Sequence, residues 1–375
     1  MKVLITASTF SHIAQFHEPY IREFHRLGWE VHIACGGEDR GIPFVDRSTR
    51  VPFCKRMGSV ENLKVTAMLR RQIARERYDL IICHTSLASF FTRLAVKGRA
   101  DRPPLCNVMH GFLFDDETPA LKREILESAE RLTARETDLL LTMNQWDYEY
   151  ATRSHLARRV AKIPGMGVDF AKLDHLTDGK EALRDRLGLP RDAFVLVYAA
   201  EFSERKSQSV LIEALTLLPG NVCLVLAGDG ALLDTCRAQA EDLGLGVRVR
   251  FPGHVADMAS LYHAAHAAVS ASRYEGLPFN IMEAMHCGLP VVASRVKGHV
   301  DLIEEGRNGL LYEYGNVDAC AGQLQRLIGD PGLQQSLAKA ARASVEAYRL
   351  DAVQSVVMSQ YLSTLDKSGH GLLCE

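Results

Sequence analysis

The nine cysteines are scattered from Cys35 to Cys374, with no CxxC pair and no Cys/His quartet at zinc spacing. That excludes a disulfide scaffold and a zinc staple, and it reads as buried, reduced thiols. No apolar run approaches the ~20 residues needed to cross a bilayer. Neither charge sign dominates: 44 Lys and Arg against 46 Asp and Glu leave a net charge of −2. Global charge therefore gives no argument for a nucleic-acid partner. Low-complexity tracts are missing too, and a composition 47% hydrophobic and 24% charged excludes a disordered or fibrous chain. What remains is a 375-residue globular chain, long enough for two domains with full cores.

Short apolar runs alternate with amphipathic stretches. Strands are predicted over Val3–Ala7, Val31–Cys35, Leu80–Cys83, Leu105–Met109 and Leu139–Met143, and helices over Ile13–Leu27 and Glu61–Tyr78. Buried strands rich in Val, Ile and Leu, separated by helices, predict a parallel sheet with right-handed crossovers. The turn-rich segment Ile163-Pro164-Gly165-Met166-Gly167-Val168-Asp169 interrupts the alternation, which then restarts. The second set of strands is predicted at Phe194–Ala199, Val222–Ala227, Val249–Phe251, Ala267–Ser270 and Val291–Ala293. Helices fit Ser207–Leu218, Ala231–Leu243, Ala256–Ala264 and Asn280–Cys287, and the tail from about Val317 reads as helix alone. The predicted fold class is α/β, with two doubly wound domains joined near residue 167.

Charge divides unevenly between the halves, with a net of +5 over residues 1–165 and −7 over the remainder. The densest basic stretch is Lys64, Arg70, Arg71, Arg75 and Arg77. A solvated helix face accounts for it; a face resting on anionic lipid is the sharper reading.

The segment Ser272-Arg273-Tyr274-Glu275-Gly276-Leu277-Pro278-Phe279-Asn280-Ile281-Met282-Glu283 follows a predicted strand and opens a helix. Backbone N–H groups at such a turn suit anions. The flanking carboxylates of Glu275 and Glu283 suit sugar hydroxyls. By themselves two glutamates eight apart are equally at home as caps or surface groups. His110 follows a strand and precedes Gly111, while His12 and His17 stand just beyond the first strand, where open α/β sheets bind ligands. His84, His254, His263 and His266 show no metal-ligand spacing, and no DxD triplet stands near a strand end.

Taken together, these motifs resemble the family 4 retaining glycosyltransferases of GT-B fold. The carrying residues are Glu275-x7-Glu283 around Gly276-Leu277-Pro278, the loop Ala199–Gln208, Gly228-Asp229-Gly230, Phe251-Pro252-Gly253-His254-Val255, Gly306-Arg307-Asn308-Gly309 and Met109-His110-Gly111-Phe112. Ser11-His12, where many relatives have Gly-Gly, resembles the capsular and exopolysaccharide branch.

The resemblance implies two Rossmann-like domains facing a central cleft: an acceptor domain over 1–167, a nucleotide-sugar domain over 168–349, and a tail over 350–375 that packs back on the first. It implies a nucleotide-sugar donor, UDP-linked, and a saccharide acceptor, lipid-linked, in bacterial surface polysaccharide synthesis. Glu275 would lie against the transferred sugar and Glu283 would hold the ribose. Lys206, with Arg205, would meet the diphosphate. Gly276, Leu277, Pro278, Phe279, Asn280, His254 and Val255 would complete the donor site. His110 would touch donor sugar or acceptor, with His12, His17 and Phe112 on the acceptor side. Phe112 is alternatively an ordinary buried loop residue. Ala200-Glu201 departs from the family's Gly-Arg, which makes Arg205 the candidate replacement.

The resemblance implies no metal and no cofactor, since protein cations and helix dipoles would stabilise the leaving diphosphate. With Met1-Lys2-Val3-Leu4-Ile5 running straight into a strand pattern and no membrane-length apolar run, a cytoplasmic protein is expected, with peripheral contact at the inner face of the plasma membrane and no nucleic-acid partner. An epimerase of the same fold and a non-catalytic sugar-binding protein are the alternative readings.

Overall fold

The computed structural model describes residues 1–39, 41–54, 58–175 and 179–365; Cys374 and the end of the tail lie outside them. The chain forms two compact units, one from Met1–Met166 and the chain from Asp351 onward, the other from Gly167–Leu350.

In the first unit seven strands run parallel: β1 Lys2–Ala7, β2 Glu30–Cys35, β3 Arg47–Arg50, β4 Leu80–His84, β5 Leu105–Val108, β6 Leu139–Thr142 and β7 Arg159–Lys162. Their order is β3-β2-β1-β4-β5-β6-β7. The order reverses between β1 and β4, so a crevice opens beyond the carboxyl ends of those two strands. All of Leu80-Ile81-Ile82-Cys83-His84 is buried, as a strand covered by helices on both faces must be. The edge strand β3 reads Arg47-Ser48-Thr49-Arg50. It carries no apolar signal because only one of its edges is paired.

The second unit repeats the plan with β8 Phe194–Ala199, β9 Val222–Ala227, β10 Val249–Gly253, β11 Ala267–Ser270, β12 Val291–Ser294 and β13 Leu310–Tyr312. The order is β10-β9-β8-β11-β12-β13, all parallel, with its reversal between β8 and β11. Tyr198, Leu224, Leu226, Val269, Tyr312 and Leu324 meet in its core.

One predicted helix, Ile13–Leu27, is two: Phe10–Phe16 and Glu18–Arg26, parted at His17. Pro19 explains the break. It has no N–H to give the preceding turn, and its ring would strike the carbonyl four residues back. Thr9 caps the first piece by accepting the His12 N–H.

The tail helix Leu350–Ser363 belongs to the first unit from Asp351 on. Tyr361 packs its ring 6.0 Å from Tyr20 and 6.2 Å from Phe24, and the Gln354 amide donates to the Pro19 carbonyl at 2.8 Å. Where the chain leaves the second unit, Val168 N–H donates to Tyr348 O at 2.8 Å and Leu350 N–H to Val168 O at 2.9 Å. The two ends of that unit are therefore stitched side by side.

Candidate functional site

At the second unit's reversal point, the loop after β8 delivers Arg205 and Lys206, and the loop after β11 delivers Glu275. The buried Glu275 carboxylate accepts from Lys206 Nζ at 2.5 Å, Ser272 Oγ at 2.6 Å and an Arg205 guanidinium N–H at 2.8 Å. Tyr198 Oη stands 2.8 Å from Ser272 Oγ and extends the network into the core. Burial alone would raise the Glu275 pKa, but the charges of Lys206 and Arg205 outweigh it and hold it at about 2. The result is two cations sharing one carboxylate, a cluster with net positive charge at the mouth of the sheet.

Two glycines fix these loops. A Cβ on Gly298 would lie 2.7 Å from the Glu275 Cβ, and its φ of +84° is left-handed. A Cβ on Gly228 would lie 2.2 Å from the Ala200 carbonyl oxygen. Each glycine allows backbone to pass close against the site.

Pro278 is the N-cap of the helix Phe279–His286, so Gly276 and Leu277 form the turn that feeds it. Asn280 ties this helix to the end of β8, its amide donating to Ala199 O at 3.0 Å. One turn further, the half-buried Glu283 lies 3.1 Å from Tyr262 Oη. Desolvation pushes the Glu283 pKa up to about 7 against the opposing Tyr262 hydrogen bond. The unit thus carries two carboxylates driven in opposite directions, one held ionised and one poised near neutrality. His254 is exposed and Val255 half-buried just beyond β10, two strands away from β8. The Gly228 N–H donates to Gly253 O at 2.8 Å, tying the loops after β9 and β10 together.

Among the described residues of the first unit, four histidines gather at the carboxyl ends of β1, β4 and β5. His12 Nε2 and His17 Nε2 are 3.2 Å apart, and His84 Nδ1 and His110 Nε2 are 3.2 Å apart. The His17 and His84 rings stack at 3.7 Å, and His12 meets His110 edge-on at 4.8 Å. Burial pulls the His12 pKa down to about 4 and those of His17, His84 and His110 well below their ordinary value. Their rings are therefore neutral at pH 7. Ligand atoms of His12, His17 and His110 all fall within 4.8 Å of one another, a set able to hold a metal ion. Thr85 braces the cluster: its hydroxyl lies 2.6 Å from Ser8 Oγ and accepts the Ser8 N–H at 3.0 Å. Beside it a cavity of about 510 Å³ is lined by Thr9, Phe10, Ser11, Ala14, Gln15, Gly37, Glu38 and Ile42.

Phe112 corrects the expectation of an acceptor contact. Its side chain turns inward, 1% exposed, and stacks on Phe114 at 5.1 Å with Tyr150 edge-on at 5.5 Å. It is a buried loop residue, and Leu113 is the exposed one.

Sequence reasoning missed four polar members. Ser272 and Tyr198 hold Glu275 from beneath. Lys297 places Nζ 5.7 Å from the Tyr274 ring centre, and its carbonyl accepts the Glu275 N–H at 3.1 Å. Buried His84 joins the histidine cluster. Only Ser272 lay in a segment the motifs marked; the others stand at strand ends whose adjacency comes from the sheet order.

Residues 13–165 match the "Glycosyl transferase 4-like domain" model and residues 179–344 the "Glycosyl transferases group 1" model. A candidate glycosyltransferase of Bacillus subtilis, EpsD, is 33% identical over 347 residues, covering 91% of each chain. An Escherichia coli UDP-Gal:α-D-GlcNAc-diphosphoundecaprenol α-1,3-galactosyltransferase is 24% identical, covering 83% of this chain and 84% of its own. Anabaena HepE in complex with UDP and glucose superposes with a TM-score of 0.79 at 22% identity, over 97% of this chain and all of its own. Two Rossmann-like units with this topology give the chain the GT-B fold. It belongs to family 4 of the glycosyltransferases, the group 1 transferases.

Proposed function

We propose that the chain transfers a sugar, with retention of configuration, from a UDP-sugar to a lipid-linked saccharide in bacterial surface polysaccharide synthesis. The observation that carries the donor side is the buried Glu275 carboxylate held by Lys206 and the half-buried Arg205 at the reversal of the second sheet. Two cations around one carboxylate leave a positive charge that a diphosphate completes. Lys206 and Arg205 bind the diphosphate oxygens, and their charge offsets what the leaving group gains as the glycosidic bond breaks. Glu275 then faces the transferred sugar. Glu283 accepts from ribose hydroxyls, with Gly276, Leu277, Pro278, Phe279 and Asn280 shaping the turn beside it and His254 and Val255 meeting the base.

In the step itself, the bond from the anomeric carbon to the distal phosphate oxygen breaks. The acceptor oxygen bonds that carbon from the same face, and its proton passes to the leaving phosphate. No carboxylate forms a covalent intermediate. The first unit, with His12, His17, His110 and the cavity beside them, takes the acceptor. The substrates named for the E. coli galactosyltransferase, a UDP-sugar and a diphosphoundecaprenol-linked sugar, support this pairing of donor and acceptor.

Peripheral contact with anionic lipid fits the helix Val60–Glu76, where exposed Val60, Leu63 and Met68 share a face with Lys64 and Arg71. Among the described residues no helix is long and apolar enough to cross a membrane.

The test is a thermal-shift titration with UDP, GDP, ADP and TDP. A ligand that binds only the folded chain raises the melting temperature by mass action. A rise selective for UDP and lost in Lys206→Ala supports the donor site. A rise with another diphosphate overturns the choice of base, and a UDP shift that survives Lys206→Ala overturns the role given to the cation cluster.

A further inference from the structure

The break at His17 has a consequence for the chemistry of the first unit. On a continuous helix, residues five apart point about 140° away from each other, at roughly 100° per residue. His12 and His17 would then face different ways. Because the helix stops at Phe16 and restarts at Glu18, their Nε2 atoms instead approach to 3.2 Å. The strands β4 and β5, which are neighbours, bring His84 and His110 to the same point, again with ring nitrogens 3.2 Å apart.

An imidazole nitrogen sits ~2.0–2.1 Å from a zinc-class ion, so two of them on one tetrahedral ion stand roughly 3.3 Å apart. The His12–His17 separation matches that edge. His110 lies within 4.8 Å of both, and the final ring torsion of histidine is soft enough to close the difference. Burial shields the donor set from bulk water, with His17 only 1% exposed.

We propose that His12, His17 and His110 form a three-histidine site for a borderline divalent transition-metal ion of the zinc class, with His84 as the supporting ring behind His110. The donor set decides the ion. Three imidazoles without a carboxylate suit zinc, cobalt, nickel or copper and do not suit magnesium or calcium. Three protein ligands leave one position for an oxygen donor, the pattern of sites that act on a ligand rather than merely staple a fold. This departs from the expectation of a metal-free chain, which the family resemblance implied and the lack of a DxD triplet agreed with. The histidine set is hidden in the sequence because a helix break and the strand order create it.

The site is tested without any sugar, so its outcome is independent of the donor reading. Full-length protein is stripped with chelator and dialysed, then titrated with Zn²⁺ by calorimetry and with Co²⁺ by visible absorption, using Mg²⁺ as the control. The expected result is one equivalent of Zn²⁺ per chain, a tetrahedral Co²⁺ spectrum and no Mg²⁺ binding. His12→Ala and His17→Ala should each weaken binding by about 100-fold or more, since loss of a mere supporting group already costs about 10–100-fold. Lys206→Ala should leave metal affinity unchanged. His12 is half-buried and on the first helix, so its variant remains informative if removing the buried His17 ring disturbs folding. No saturable binding near one equivalent overturns the site. So does binding that survives His12→Ala undiminished, which would mark adventitious surface histidines.

Discussion

Replacing Glu275 by glutamine keeps the side-chain shape and deletes its charge, leaving the buried Lys206 and the half-buried Arg205 without the carboxylate they share. Two routes give the size of the effect. Removing one partner of a buried ion pair typically costs about 3–5 kcal/mol. Independently, the drop of the Glu275 pKa from an ordinary 4.5 to about 2 is worth about 3 kcal/mol at ~1.4 kcal/mol per pH unit. The sign follows from the direction. A depressed carboxylate pKa contributes stability that is whole above about pH 4.5 and disappears as pH falls toward about 2. Glu275→Gln should therefore melt lower than wild type at pH 7, with the gap closing in acid. For a transition the size of the second unit, 1 kcal/mol corresponds to about 2–4 °C, so the expected fall is roughly 6–12 °C. The assay is thermal unfolding followed by circular dichroism at pH 7 and at about pH 3, with UDP binding measured in parallel. Nucleotide binding should hold or tighten in the variant, because the cation pair has lost its internal competitor, while transfer collapses. A melting temperature within about 2 °C of wild type at pH 7, or a gap that does not shrink in acid, would refute the reasoning.

Glu283 behaves in the opposite sense. Its raised pKa stabilises the protonated form, so its contribution is whole below about pH 4.5 and is lost as pH rises through about 7. Glu283→Gln should flatten the decline in melting temperature between about pH 4.5 and about pH 7 and weaken UDP binding; an unchanged slope would remove the carboxyl as its cause. Gly298→Ala forces a Cβ to 2.7 Å from that of Glu275 at a left-handed φ. It should cost about 1–3 kcal/mol and lower transfer activity with it, and a variant as stable and active as wild type would show that the loop yields freely.

Much of the fold was legible because buried parallel strands announce themselves. Runs such as Leu80–Cys83 and Val222–Ala227 fall where predicted. The polar edge strand Arg47–Arg50 was not legible, since half-paired strands need no apolar residues. The break in the first helix was visible only as Pro19, and its consequence depended on where the two pieces then packed. On the site, the motif segments located Glu275, Glu283, Arg205 and Lys206. They did not reveal that Glu275 is the partner of both cations, with Ser272 as a third donor.

The sequence by itself determined the periodicities, the two parallel-sheet halves, the turn between them and the residue types at each strand end, because these are set by local pattern and nearest neighbours along the chain. Tertiary structure alone decided which strand ends meet. The reversal between β8 and β11 joins residues 70 apart at Glu275–Arg205, and the pairing of β4 with β5 joins residues 26 apart at His84–His110. Those joins turn separated side chains into a charged cluster and a histidine nest. Their electrostatics come from burial and proximity, which exist only once the sheets have formed.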